Sequence, residues 1–293
     1  MTKAASNIAD STPRLRSGQA SSPQVVIYGG FDDLRPIHFR FFEETAKLGK
    51  IYALLWSDDA IEKITGKPPK FPQQERLYLL ESIRYIHKVI IINDANPGAL
   101  PESPGFKPNI WVVDEQNDNP AKKMFCKNNG LKYHVLKNEN LNRFPDYVPD
   151  LQKTTTSRKK VIVTGCYDWF HSGHVRFFEE VSELGDLYVT VGNDKTIRAY
   201  KGQGHPMFSQ LQRRFVVQSI RYVTQSLIST SDGWLDAKPE IYRIKPDIYA
   251  VNEDGDRPEK REFCEAAGIE YVVLKRLPKP GLQRRQSTTL RGF

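Results

Sequence analysis

Two histidines that flank a Ser-Gly pair are the residues of this chain with the clearest capacity for chemistry. His171 and His174 follow an apolar, β-branched run at 161–163, which predicts a buried parallel strand. The apolar residues after them recur three positions apart, which predicts a helix. Ser172 is a suitable cap for that helix, and Gly173 would let a ligand approach the backbone. The positive end of a helix favours a bound anion, so this pair is expected to bind phosphate.

The residues around the histidines resemble the signature of a known family. The segment 165–174 is similar to the G-x-[FY]-D lead-in and HxGH motif of the cytidylyltransferase-like nucleotidyltransferases. The resemblance implies that His171 and His174 are catalytic. It also implies that residues of the lead-in and of the motif bind the nucleotide, namely Gly165, Cys166, Tyr167, Asp168 and Gly173. For Asp168 we expect a role in fixing the turn before the histidines rather than in the chemistry itself.

Further matches to the family lie downstream. Lys201, in Tyr-Lys-Gly, resembles the Lys-Gly that the family places in a loop facing the triphosphate, and it is expected to close over the phosphates during catalysis. Arg213 matches the arginine of an E-R-x-x-x-[LV] helix start, although Gln212 stands where the family has glutamate. Nucleotide binding and a purely structural ion pair are both open for Arg213.

The C-terminal residues resemble the family's I-S-[ST]-T-x-[LI]-[RK] signature. There, hydroxyls and backbone N–H groups bind the β- and γ-phosphates, a role carried here by Ser287, Thr288 and Thr289. Asn252 and Asp254 follow a strand and are expected to border the nucleotide, and Trp234 is expected to face the acceptor. For these last three residues, a place in a loop without ligand contact is an equal alternative.

The chemistry implied by this family is mainly electrostatic. A phosphate acceptor has a second pKa of about 6, so at neutral pH it is already ionised and needs no general base. Charge must instead be stabilised on the α-phosphorus and the departing pyrophosphate. We expect that positive charge to come from the two imidazoles and the hydroxyl-rich tail. Loss of either histidine should lower the rate about 10²- to 10³-fold.

The chain also repeats itself. Arg-Phe-Phe-Glu-Glu occurs at 40–44 and again at 176–180, and Ser-Ile-Arg-Tyr occurs at 82–85 and again at 219–222. Identities over this length indicate a tandem duplication of one domain. In the second copy we predict strands at 161–165, 187–191, 226–229, 247–251 and 270–274, and helices at 174–184, 209–222, 236–244 and 257–267. This alternation predicts an α/β fold of two tandem, Rossmann-like, doubly wound parallel sheets.

The predicted organisation is a disordered tail at 1–24, a degenerate domain at 25–140, a linker at 141–159 and a catalytic domain at 160–293. In the first copy the signature reads Arg35-Pro36-Ile37-His38, so only the second histidine survives. Arg35 could still bind phosphate, but Ile37 adds bulk where the backbone must approach a nucleotide. We therefore expect a pseudo-domain that pairs with the active copy, as two subunits would in a family dimer.

Composition sets wider bounds. A net charge of +8 suits phosphorylated ligands, nucleic acid or an anionic membrane surface. The three cysteines have neither paired nor metal-type spacing, which indicates a reduced, cytoplasmic protein. An organelle transit peptide is an alternative, because Arg14 and Arg16 lie among serines and threonines. No apolar run approaches the roughly 20 residues of a membrane span.

The resemblance as a whole implies transfer of a nucleoside monophosphate from a nucleoside triphosphate to a small phosphorylated acceptor. Pyrophosphate would be released, and Mg²⁺ would be carried by the triphosphate. CTP is favoured, because the tandem layout resembles phosphoethanolamine cytidylyltransferases. ATP stays open as the donor, because adenylyltransferases of flavin and of sugar phosphates share the HxGH domain.

Three other classes of protein are alternatives to a nucleotidyltransferase. A non-catalytic nucleotide-binding regulatory protein would explain one decayed copy. A metal site at His171 and His174 lacks a third or fourth ligand at suitable spacing. A class I aminoacyl-tRNA synthetase would share a related histidine box, but the chain has no K-M-S-K-S-like loop, so no nucleic-acid partner is expected.

Overall fold

The computed structural model describes residues 22–102, 106–152, 156–233 and 235–285. The prediction of two Rossmann-like α/β domains is confirmed: each copy forms a five-stranded sheet in which every pair of neighbouring strands is parallel. The predicted tail at 1–24 lies largely outside the described residues. The first strand already begins at Gln24.

The first domain holds the strands β1 (Gln24–Gly29), β2 (Lys50–Trp56), β3 (Ile86–Ile92), β4 (Ile110–Asp114) and β5 (Lys132–Leu136). Its helices are α1 (Pro36–Ala46), α2 (Asp58–Thr65), α3 (Gln73–Ser82), α4 (Pro120–Asn128) and α5 (Asn138–Leu141). The strand order is β3-β2-β1-β4-β5, so the order reverses between β1 and β4.

The second domain repeats this arrangement. Its strands are β6 (Lys160–Gly165), β7 (Asp186–Val191), β8 (Val223–Ile228), β9 (Ile248–Asn252) and β10 (Glu270–Leu274). Its helices are α6 (Ser172–Leu184), α7 (Asp194–Lys201), α8 (Gln210–Gln218), α9 (Lys238–Ile244) and α10 (Pro258–Ala267). The order β8-β7-β6-β9-β10 again reverses beside the first strand. Val161, Ile162 and Val163 are fully buried in β6, as their β-branched run predicts.

The main differences from the predicted elements concern α7, α8 and β8. Helix α7 was not predicted, because its sequence, Asp-Lys-Thr-Ile-Arg-Ala-Tyr-Lys, is short and mostly polar, with Ile197 as its only buried apolar residue. Its local signal is the cap: the Asn193 side chain accepts a hydrogen bond from Thr196 N at 2.8 Å. Helix α8 ends at Gln218 rather than 222, and β8 begins at Val223 rather than 226.

The two domains share one hydrophobic core. Phe39 and Phe42 of α1 belong to the same buried cluster as Phe178 of α6 and Phe215 of α8. An antiparallel bridge joins Ile83 to Ile220 across the interface. The domains therefore associate through equivalent elements, about a pseudo-two-fold relationship.

The segment between the domains packs on the second one. The described residues 142–152 and 156–159 contain no helix or strand. The ring of Phe144 contacts that of Phe215, with centroids 5.4 Å apart, and Gln225 Nε2 donates to the Asp150 carbonyl at 2.7 Å. These contacts hold the segment against the domain that it precedes.

Candidate active site

A cavity of about 550 Å³ opens at the carboxyl ends of β6 and β9, where the strand order reverses. Ligands of doubly wound sheets bind at such a switch point. The structure brings together ten of the residues predicted from the sequence in the lining of this cavity. These are Gly165, Cys166, Tyr167, Asp168, His171, Gly173, His174, Lys201, Asn252 and Asp254.

The two histidines cap the helix that carries them. His171, not Ser172, is the N-cap of α6, and its Nδ1 accepts a hydrogen bond from Gly173 N at 3.1 Å. His174 Nδ1 accepts in turn from His171 N at 3.4 Å. The two rings stack with centroids 4.0 Å apart. The expectation that Ser172 caps the helix is thus wrong: Ser172 is the first helical residue, and its hydroxyl donates to Glu75 of the first domain.

These hydrogen bonds determine which ring nitrogen carries the proton. A backbone N–H can only donate, so both Nδ1 atoms act as acceptors, and a neutral ring then has its proton on Nε2. The Nε2 atom of His171 is buried and has no hydrogen-bond partner among the described residues. A buried, unpaired N–H is unfavourable, so this donor is available to a ligand oxygen in the cavity.

Burial keeps both imidazoles neutral. It lowers the pKa of His171 to about 3, helped by the positive charges of Arg276 and Arg285. It also lowers the pKa of His174 well below 6.5, with further contributions from His171, Arg276 and Lys201. The expectation that the imidazoles supply positive charge is therefore wrong for the unliganded protein at neutral pH, where they act as N–H donors.

The positive charge comes from Lys201 and Arg276. Lys201 is exposed at the rim of the cavity, where it is the last residue of α7 rather than part of a loop, and Gly202 follows it with φ of 82°. Arg276 follows β10; it pairs with Asp254 and donates to the Arg285 carbonyl at 3.2 Å. Sequence reasoning missed Arg276, although a basic residue just after a final parallel strand is a signal for this edge of the sheet.

Asp168 braces the turn before the histidines. Its carboxylate accepts hydrogen bonds from Met207 N at 2.8 Å and Phe208 N at 3.0 Å, and it lies 3.3 Å from His205 Nδ1. Asp168 is 7% exposed, so these contacts replace its hydration. The carboxylate thereby ties the loop after β6 to the loop before α8. His205 and Met207 also line the cavity and were missed, because nothing local marks them.

Arg213 lies behind the cavity wall and does not line it. It is 1% exposed, and its guanidinium donates to the carbonyls of Phe208, Cys166 and Gly192 and pairs with Asp194 at 2.7 Å. Of the two roles left open for Arg213, this geometry favours the structural ion pair. The arginine holds the Cys166 carbonyl, and with it the lead-in of the motif, in place.

Two glycines are required by close contacts. A Cβ built on Gly165 would lie 2.7 Å from the ring of Tyr167, which is buried and has a left-handed φ of 54°. A Cβ built on Gly173 would lie 3.0 Å from His171 Nδ1 and 3.7 Å from the Arg285 carbonyl. The Tyr167 ring therefore fits only over a backbone without a side chain at Gly165, whereas a Cβ at Gly173 would require the His171 ring to shift by a few tenths of an ångström.

Four predicted site residues, Trp234, Ser287, Thr288 and Thr289, lie outside the described residues. The described chain nevertheless leads to the serine-threonine signature. Residues 276–285 run past the N-terminus of α6, and Arg285 lies near Gly173. The roles assigned to these four residues stay predictions.

The first domain keeps a cavity but not the arrangement around it. A cavity of about 440 Å³ occupies the equivalent place and is lined by His38, Asp32 and Asp114, among others. Arg35, which stands where the second domain has His171, is turned away from it: its guanidinium lies 3.9 Å from the ring centroid of Trp169 in the second domain. The expectation that Arg35 binds phosphate finds no support in this placement.

The cavity offers few ligands for a metal ion. Within the described part of the chain, no group of three or more His, Cys, Asp or Glu residues could hold one. Asn252 and Asp254 offer oxygen atoms to the cavity, and Asp254 is already paired with Arg276. These few oxygens fit an ion that brings most of its own ligands.

None of the described helices is long and apolar enough to cross a membrane.

Comparison with known proteins agrees with this site. The family model described as cytidylyltransferase-like matches residues 162–274. The FAD synthase of Aciduliprofundum boonei is 34% identical over 127 residues, which are 42% of this chain and 80% of that protein. The FAD synthase of Ferroglobus placidus is 36% identical over 120 residues, 40% of this chain and 75% of that protein. The chain therefore belongs to the cytidylyltransferase-like family of nucleotidyltransferases.

A third relative matches over a smaller part of its length. The bifunctional protein HldE of Desulfatibacillum aliphaticivorans is 36% identical over 130 residues, which are 42% of this chain but only 26% of that protein.

Proposed function

We propose that the second domain transfers a nucleoside monophosphate from a nucleoside triphosphate to a small phosphorylated acceptor and releases pyrophosphate. The observation that carries this proposal is the arrangement of His171 and His174, whose Nδ1 atoms are occupied by backbone N–H groups. Their Nε2–H groups are left as donors for the α-phosphate at the N-terminus of a 13-residue helix. Lys201 and Arg276 add positive charge around the same cavity.

The donor that we propose is ATP, ahead of the CTP favoured by the tandem layout. The support is the identity to FAD synthases, of which this chain covers 75% and 80% in two cases. FAD contains an adenylyl group joined to FMN, so a synthase that completes FAD handles an adenine nucleotide. FMN and sugar phosphates are therefore the first acceptors to test, and phosphoethanolamine with CTP is the alternative pair.

Each part of the site has a distinct role in the proposed transfer. The acceptor phosphate is ionised at neutral pH and attacks the α-phosphorus; a bond to the acceptor oxygen forms as the bond to pyrophosphate breaks. Donors aimed at the α-phosphate oxygens stabilise the charge that develops there. Mg²⁺, held mainly by the phosphates and water, would supply further neutralisation of the triphosphate. The cytoplasm, where such substrates are phosphorylated and thiols are reduced, is the proposed location.

The decisive experiment measures pyrophosphate release. The protein is incubated with Mg²⁺, each of the four nucleoside triphosphates, and FMN, sugar phosphates or phosphoethanolamine. We expect release to require one particular pair of substrates and to fall about 10²- to 10³-fold in His174→Ala. His87→Ala is the matched control, because His87 is an exposed histidine of β3, far from the cavity.

Two results would contradict the proposal. One is equal activity in His174→Ala and the unaltered protein. The other is binding of a nucleotide without turnover for any acceptor of the panel, which would favour the regulatory protein instead.

A further inference from the structure

A carboxylate of the degenerate domain reaches the candidate site of the other domain. Glu75 is the third residue of α3 and is 3% exposed. Its Oε1 accepts a hydrogen bond from the Ser172 hydroxyl at 2.6 Å. Ser172 lies between the two histidines, at the first position of α6. The first domain thus contacts the motif that it has itself lost.

The same carboxylate holds the segment that leads to the serine-threonine signature. Arg285 Nε lies 2.9 Å from Glu75 Oε2, and Nη2 lies 2.7 Å from the same oxygen. The guanidinium also lies 5.4 Å from the ring centroid of Phe71. A paired arginine and carboxylate with this geometry form a strong and directional contact when buried. Glu75 therefore fixes two parts of the candidate site at once.

The repeat shows what is particular about this residue. Arg76 and Arg213 are equivalent and make equivalent contacts: Arg76 donates to the carbonyls of Phe71, Gly30 and Trp56 and pairs with Asp58. The neighbouring positions differ. Gln212 stands where the first domain has Glu75, and its Oε1 accepts from Ser209 N at 3.0 Å, within its own helix start.

The difference between Glu75 and Gln212 parallels a difference between the motifs of the two domains. Glu75 faces a hydroxyl at position 172 and a guanidinium at position 285. In the first copy, position 36, equivalent to 172, is Pro36, which has no hydroxyl to donate. Glutamate is thus present in the first domain, whose partner domain carries the intact motif. Glutamine stands at the equivalent position of the second domain, whose partner domain carries the degenerate motif.

We infer that Glu75 of the first domain is a positioning residue for the nucleotide site of the second domain, acting through Ser172 and Arg285. The inference rests on the proposed function, since it assigns the start of α6, beside which Arg285 lies, to the triphosphate. Anchoring the segment before the ligand arrives removes an ordering cost from nucleotide binding. The contact neutralises Arg285 and Glu75 together, so no unpaired carboxylate faces the incoming phosphates.

Four variants test this role: Glu75→Gln, Arg285→Gln, the double variant, and Gln74→Ala as an exposed neighbour on the same helix. The measurements are the dissociation constants of ATP and CTP with Mg²⁺ by calorimetry, kcat and KM for pyrophosphate release, and hydrogen exchange of peptides within 276–285. Glutamine keeps an oxygen for Ser172 and the shape of the side chain, so α3 and the interface should persist.

We expect Glu75→Gln to weaken triphosphate binding about tenfold or more, with kcat within about threefold and faster exchange in 276–285. Arg285→Gln should bind still more weakly, because it leaves a buried carboxylate unpaired beside the phosphates. Removing that carboxylate as well should recover part of the affinity in the double variant. Gln74→Ala should match the unaltered protein in all three measurements.

Other outcomes separate this inference from the proposed function. Equal affinity and equal exchange in Glu75→Gln and the unaltered protein would overturn the inference alone, as would a loss confined to kcat. Intact ATP or CTP affinity without turnover for any acceptor would contradict the proposed function and leave the positioning role standing on binding and exchange. Failure of the unaltered protein to bind either nucleotide would overturn both.

Discussion

Arg84 and Arg221 make equivalent hydrogen bonds across the domain interface, each donating to main-chain carbonyls of the other domain. Arg84 Nη2 donates to the Ile220 carbonyl at 2.8 Å, and Arg221 Nη2 donates to the Ile83 carbonyl at 3.0 Å. Their backbones do the same, because Arg84 N donates to Ser219 O and Arg221 N donates to Ser82 O, both at 2.9 Å. The duplicated Ser-Ile-Arg-Tyr sequence thus meets itself in antiparallel fashion and forms a self-complementary contact, as in a two-fold dimer.

This contact predicts a loss of stability when either arginine is removed. Arg221→Ala removes the Nη2 donor from the carbonyls of Ile83 and Ile86, although Ile83 O still accepts from Ile86 N at 3.2 Å. The side chains of Arg84 and Arg221 are partly exposed to water, so we expect the free energy of unfolding to fall by only about 1–2 kcal/mol. Urea unfolding measures this. Arg143→Ala, which removes an exposed ion pair with Glu139, should change the free energy of unfolding by less than about 0.5 kcal/mol. Equal effects of the two variants would argue against the interface contact.

Gly173→Ala should separate stability from nucleotide binding. Alanine is favourable within a helix, and Gly173 has no left-handed φ, so the free energy of unfolding should stay within about 1 kcal/mol. The added Cβ, however, would lie 3.0 Å from His171 Nδ1 and fill the space where a phosphate would meet the backbone. We expect ATP affinity, measured by calorimetry, to fall at least about tenfold.

Gly29→Ala is the control for that variant, because the nearest atom to a Cβ at Gly29 is 4.0 Å away. It should leave ATP affinity unchanged. If Gly173→Ala bound ATP normally, the phosphates would have to lie elsewhere than at the start of α6.

Arg276→Gln should weaken triphosphate binding more than it slows the chemical step. The variant removes a positive charge from the cavity and leaves Asp254 without its ion-pair partner. We expect a loss of about 1.5–3 kcal/mol in binding, which is more than tenfold in the dissociation constant of ATP. Adding Asp254→Asn should recover part of the loss. Arg261→Gln, which changes an exposed arginine that pairs with Asp256, should bind as the unaltered protein does; a similar loss there would point to a general charge effect.

The buried histidines predict a stability that depends on pH. The pKa of His171 is about 3 in the folded protein and about 6.5 when unfolded, so the unfolded state binds the proton first as the pH falls. The stabilising contribution is complete above pH 6.5 and decreases from there towards pH 3. Between pH 7.5 and 5.5, protonation of His171 alone stabilises the unfolded state by about 1.4 kcal/mol relative to the folded state.

Unfolding of His171→Asn at the same two pH values isolates that contribution. Its loss of stability should be smaller than that of the unaltered protein by about 1.4 kcal/mol, because all the other titratable groups are common to both. An identical pH dependence would show that His171 takes up its proton at the same pH in the folded and unfolded states, which would contradict a lowered pKa.

The features that sequence predicted well are those encoded locally. The β-branched run at 161–163 and the apolar period after His174 lie within one continuous segment, so strand, loop and helix follow from neighbouring residues. The repeat extended this prediction to the whole first domain. Because parallel strands end at one edge, Asn252 and Asp254 could also be placed beside the histidines.

The features that sequence could not predict depend on tertiary distance and burial. Glu75 and Arg285 are 210 positions apart, and nothing in either local segment marks the other. The neutrality of His171 follows from its burial among other groups, since an isolated histidine would titrate near pH 6.5. Helix α7 is short and mostly polar and begins at its Asn193 cap, so Lys201 was expected in a loop.

The segment that joins the two domains has a consequence for how they diverge. In a dimer of identical subunits every substitution appears twice, so the glutamate that the family has at this helix start could not be lost from one copy alone. A tether removes that constraint, which allows glutamate to stay at 75 where glutamine stands at 212. It also keeps the supporting half at a local concentration on the order of millimolar, so dilution of the protein would not deprive the catalytic half of its neighbour.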